Sequence, residues 1–143
     1  MNIKKTACLL LVQSLFLTAL YAQVKPAPKA SGPETPSSRG KIVFSKICIA
    51  CHMADGMGVP KFNPPLSNTP YVLGDKTRLI KIVLNGFKEK VKINGQSYSN
   101  IMTPHKDLND QQIADVLTYV RSSFGNKASA VSMAEVKKVR AMN

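Results

Sequence analysis

Tryptophan is absent from this 143-residue chain, and four tyrosines and five phenylalanines are its whole aromatic complement. Acidic residues are also few, 8 against 20 basic ones, for a formal charge of +12. Three cysteines cannot build a disulfide framework: Cys8 stands apart, and Cys48 and Cys51 would close too small a loop to staple a domain. A structural zinc site takes four ligands, and past Cys8 the chain has no second cysteine pair and only two histidines, His52 and His105. A redox dithiol of the Cys-x-x-Cys type normally sits beside a strand of an α/β sheet, and no such strand pattern is present. Dispersed lysines without interleaved aromatics argue against a nucleic-acid binder.

A long hydrophobic run is missing as well. The apolar stretch from Ala7 to Tyr21 is broken by Gln13, Ser14 and Thr18, whereas a membrane span needs roughly 20 mostly apolar residues. With Lys4 and Lys5 before it and the small Ala22 after it, residues 1–22 read as a signal peptide. An uncleaved anchor is the competing reading. Export to a periplasm or its equivalent follows, with no stable membrane span once the leader is gone. Loss of Lys4 and Lys5 leaves 18 basic and 8 acidic residues, still strongly positive. Such a balance suits either an acidic protein partner, attracted over long range, or simply a solvated surface. Export removes nucleic acid from consideration.

Residues 23–37 carry Pro26, Pro28, Pro33 and Pro36 among Ala, Lys, Ser and Gly, the composition of a flexible tether. A globular domain is expected over residues 38–126. Ile42, Val43, Phe44 and Ile47 fall at helical spacing, so a first helix should run from about Ser38 into the Cys48 region. Gly56, Gly58, Pro60, Pro64, Pro65 and Pro70 mark a long loop. Asp75 can cap a second helix from Lys76 to about Leu84, closed by Asn85-Gly86. Val91-Lys92-Ile93, Asn94-Gly95 and Gln96-Ser97-Tyr98 spell a small hairpin. Asn109 and Gln112 form a capping box ahead of Ile113, Val116, Leu117, Val120 and Phe124, one apolar helical face closed by Gly125. Ser132 and Glu135 repeat the box before a short terminal helix, within an extension over residues 127–143.

The segment Cys48-Ile49-Ala50-Cys51-His52 matches C-x-x-C-H, the pattern of haem c attachment. Two thiols near one helix end can add across the two vinyl groups of a haem, and the next residue then offers an imidazole to the iron. A small domain with so little aromatic mass has a thin core, which one buried porphyrin would complete.

Taken with the helices, these residues resemble the class I c-type cytochromes over about Arg39 to Asn126. The resemblance implies an all-α cytochrome c fold: three main helices around one covalent haem, plus the hairpin and the terminal helix. It implies that Gly40 and Phe44 of the first helix pack against Tyr119 of the last helix of the core. It also implies Met102, in Asn100-Ile101-Met102-Thr103-Pro104, as the second axial iron ligand opposite His52. Family members often have Met-Pro directly, and here Thr103 intervenes. Pro64, in Asn63-Pro64-Pro65-Leu66, takes the place of the family proline whose carbonyl orients the ligand histidine. Met53 and Met57 lie too near the attachment site to cross the haem plane, and His105 reads as a surface loop residue.

The hairpin, the run Asp107 to Ala114 and the tail resemble haem domains that accompany periplasmic dehydrogenases and other respiratory oxidoreductases. The expectation is electron transfer by a small carrier or an electron-transfer subunit, not an enzyme in itself, with redox proteins acidic at their docking face as partners. A ligand-binding or peroxidatic haem protein, with a labile sixth ligand, is the alternative. A docking module, in which tether and terminal helix do the essential work, is the third.

Overall fold

The computed structural model describes residues 34–142; the expected leader and most of the expected tether lie outside the described residues. Helix α1, Pro36–Val43, opens on Thr35, whose hydroxyl accepts the Ser38 N–H while the Ser38 hydroxyl accepts the Thr35 N–H. Pro36 occupies the first helical position, where a missing N–H costs nothing. The helix therefore begins two residues ahead of the expected Ser38, and Pro36 belongs to the domain. Over Phe44–Cys48 the ladder widens into a π-helical turn before returning to α2, Ile49–His52. Turns of this kind inside helices gather at functional sites.

The breaker-rich loop holds an element that its composition concealed. Thr69 accepts the Val72 N–H and Pro70 takes the first position of α3, Pro70–Leu73. Asp75 accepts the Arg78 N–H to start α4, Lys76–Asn85, and Gly86 ends it at φ 75°. Strands β1, Val91–Ile93, and β2, Gln96–Tyr98, pair antiparallel in the register Val91↔Tyr98 and Ile93↔Gln96. Asn94 and Gly95 both have positive φ, as a tight hairpin turn demands. Helix α5, Asp110–Ser122, carries the Asn109–Gln112 capping box, and α6, Met133–Arg140, carries that of Ser132 and Glu135. The architecture is the expected one, all-α with, among the described residues, a single small hairpin.

Helix α1 packs along α5, and the ring of Phe44, 2% exposed, lies 5.5 Å from Tyr119 and 5.2 Å from Phe124. Phe124 reaches this cluster from outside the helix. Helix α5 stops at Ser122 and Phe124 sits at φ 57°, so it does not continue the helical face that spacing suggested. Arg39 of α1 donates to both carboxylate oxygens of the buried Asp115 of α5, at 2.7 and 2.9 Å.

The tail is part of the same body. Helix α6 lies on α4 and α5, burying Val136 and Val139. Its ends are pinned by Lys76–Glu135 at 3.0 Å and Arg140–Asp110 at 2.7 Å. The Ser132 backbone N–H, then Lys76, hold the Glu135 carboxyl down at about 2, so this clamp is charged throughout the neutral range. Among the described residues, no helix is long and apolar enough to cross a membrane.

Candidate cofactor site

Helices α4 and α5, the loop after α2 and the hairpin surround a cavity of about 240 Å³. Its walls are mostly apolar: Val83 comes from α4, Val116 and Val120 from α5, Ile93 and Tyr98 from the hairpin. The hairpin keeps its place through a satellite cluster, in which Val91, Ile93 and Tyr98 pack with Tyr71 and Phe87. Tyr71 meets Phe87 edge-on at 5.8 Å and carries the Arg78 guanidinium 4.3 Å above its ring. A cation over an aromatic face stiffens that support.

All five residues singled out from the sequence line this one cavity: Cys48, Cys51, His52, Pro64 and Met102. Cys48 closes the π turn and is half-buried, while Cys51 is exposed, and both thiols are unpaired. Burial, with some help from Cys51, pushes the Cys48 thiol up to about 11.

His52 ends α2 with its Nδ1 3.1 Å from the Pro64 carbonyl. A carbonyl can only accept, so Nδ1 carries the hydrogen and Nε2 keeps its lone pair. Burial lowers the pKa of the imidazole, the Pro64 carbonyl pulls it back up, and the charge of His105 lowers it further. The net result favours the neutral, ligand-ready ring.

Met102 is half-buried, and its backbone is held from both sides. Phe87 N–H donates to the Met102 carbonyl and Met102 N–H donates to the Phe87 carbonyl, each at 2.9 Å. Phe87 is the positioning residue that the sequence reading missed, because an isolated bridge between two loops has no periodic signature. Met53 and Met57 are exposed and do not line the cavity. His105 departs from expectation. It is half-buried and lines the cavity rather than standing on an outer loop, because its N–H is drawn onto the Val83 carbonyl at the end of α4.

The donor set fits a covalently held haem: two free thiols three residues apart, an adjacent imidazole oriented by a carbonyl, a thioether on another segment, and apolar walls between. Among the described residues no cluster of three or more His, Cys, Asp or Glu side chains could hold a bare metal ion instead.

Comparison with known proteins agrees with this geometry. The family model for cytochrome c matches residues 37–124. The cytochrome c subunit of a quinone alcohol dehydrogenase from Gluconacetobacter polyoxogenes is 37% identical over 115 residues, covering 78% of this chain and 24% of that protein. The gluconate 2-dehydrogenase cytochrome c subunit of Pantoea cypripedii is 32% identical over 118 residues, 81% of this chain and 27% of that protein. Cytochrome c-552 of Thermus thermophilus is 30% identical over 103 residues, 66% of this chain and 79% of that protein. The chain thus spans about a quarter of the length of the dehydrogenase subunits and most of the length of the small cytochrome.

Proposed function

Because this chain belongs to the cytochrome c family, whose members carry covalent haem c and transfer electrons, we propose that it relays single electrons outside the cytoplasm through one haem. Cys48 and Cys51 would hold the group as thioethers, and His52 Nε2 and the Met102 sulfur would ligate its iron. When bound, the haem supplies an iron that alternates between ferric and ferrous states. The observation that carries the reading is the His52 Nδ1–Pro64 hydrogen bond, which aims the opposite ring nitrogen and fixes its tautomer.

The remaining residues serve the same end. The Phe87 bridge restrains Met102, so its soft thioether stays in place and favours the reduced state relative to a second imidazole. Valines and isoleucine around the cavity exclude water and keep the surroundings from reorganising when charge changes. With His52 and Met102 both taken up by the iron, substrates and oxygen would find no opening. The visible spectrum of the reduced protein is expected to remain that of low-spin haem c when carbon monoxide is added. A clear shift would replace the relay with a ligand-binding or peroxidatic function.

Two forms of service fit the relatives: a small carrier, as the resemblance to cytochrome c-552 suggests, or an electron-transfer partner of a dehydrogenase. Export behind residues 1–22, followed by the tether, is part of the proposal. The proposed partner is a redox protein acidic at its docking face, attracted by the positive excess of this chain. Exchange rates should therefore fall as ionic strength rises. Rates indifferent to salt would remove charge from the docking.

A further inference from the structure

We infer that His105 is a reserve axial ligand, placed to take the iron position that Met102 vacates. This rests on the proposed His52 and Met102 ligation and adds a second nitrogen donor to that site. His105 follows Met102 by three residues, is half-buried, and lines the same cavity. Its backbone N–H is anchored to Val83 of α4 at 2.9 Å, whereas Met102 is held through Phe87. Met102 and His105 are thus anchored at two separate points, Phe87 and Val83. Among the described residues the His105 ring makes no hydrogen bond.

Competition from other side chains is weak. Among the described residues, no lysine lines the cavity. The Tyr98 hydroxyl donates to Gln96 at 2.9 Å, and Tyr71 is packed between Phe87 and the Arg78 guanidinium. Among the described residues, Glu89 is the only acidic side chain on the wall. A neutral imidazole is the donor best matched to haem iron among these, and it suits the ferric state better than a thioether does. In the exchange one iron–sulfur bond breaks and one iron–nitrogen bond forms. The imidazole would lend a lone pair where the thioether did, and the iron would keep its oxidation state. The iron then stays closed when the methionine is lost, at a lower reduction potential.

The test uses the haem-loaded protein as Met102→Ala, His105→Ala and the double variant, read by ferric spin state, reduction potential and carbon monoxide affinity. Met102→Ala is expected to be low-spin with a lowered potential. Its apparent carbon monoxide affinity should be roughly tenfold or more weaker than that of the double variant, because the gas must wait for the open fraction. Met102→Leu repeats the comparison with the loop's volume preserved. Equal affinities in Met102→Ala and the double variant would overturn the inference and leave Met102 as native ligand. Carbon monoxide uptake by His105→Ala alone would make His105 the native ligand, and both the inference and the Met102 assignment would fall.

Discussion

Replacing Cys48 and Cys51 together by serine is expected to yield a chain that carries no covalent haem and does not hold native packing. The reason lies in the cavity rather than in the thiols. Left unfilled, a solvent-reachable space of about 240 Å³ leaves its apolar walls without packing partners. A small domain has only roughly 5–15 kcal/mol of stability in all, and the loss falls on several elements at once. Valines of α4 and α5, the hairpin cluster and the loop carrying Pro64 all face the space. His52 and Met102 alone could still bind haem reversibly, so the two consequences are measured separately. A haem stain on a denaturing gel should be blank, and the haem-free fraction should lose near-ultraviolet dichroism and a cooperative urea transition. A haem-free double variant that unfolds cooperatively at the wild-type midpoint would show that this space is not the cofactor's.

The same physics explains which parts of the site were legible beforehand. Cys48, Cys51 and His52 announce themselves because covalent attachment demands a fixed spacing within one helical turn. Capping boxes at Asn109 and Ser132 and the Asn94-Gly95 turn are equally local: donor and acceptor sit within a few residues, so spacing alone specifies them. Pro64 and Met102 came from family resemblance, and the cavity brings them beside the motif.

What stayed hidden depends on contacts between distant segments. The π turn at Phe44–Cys48 has no sequence signature, because the extra residue is accommodated by how α1 and the Cys48–His52 segment each pack. Phe124 continues the α5 spacing, yet the chain leaves the helix at Ser122 so that its ring can meet Phe44 and Tyr119. Pro70 looked like a breaker and instead starts α3, because Thr69 before it is a cap and the first helical position needs no N–H. His105 was read as an outer loop residue since nothing near it in sequence shows that Val83 will hold its backbone.

Gly40→Ala is the second large effect, and it tests the helix crossing on which the site is mounted. Gly40 is buried where α1 meets α5. A Cβ there would run into the Asp115 carbonyl and lie 2.8 Å from the Tyr119 Cβ. The obstacle is backbone, which cannot rotate aside, so the helices must part. Alanine alone would favour the helix by about 1 kcal/mol over glycine. Overpacking ordinarily costs about 1–3 kcal/mol. Here separation also loosens the Phe44 ring cluster and the Arg39–Asp115 pair, so a net loss of about 3 kcal/mol is expected. For a domain of this size that lowers Tm by roughly 10–20 °C. Lys41→Ala, at the exposed neighbour on the same helix, should stay within about 0.5 kcal/mol. The effect should also reach the site. Helix α1 runs into the Cys48–His52 segment, and α5 supplies Val116 and Val120 to the cavity, so parting the helices shifts His52 against that wall. Carbon monoxide binding to the reduced Gly40→Ala variant, where the wild type is expected to be closed, would be the sign that the crossing holds the ligands as well as the fold. Equal melting of Gly40→Ala and Lys41→Ala would mean that the two helices have room to spare.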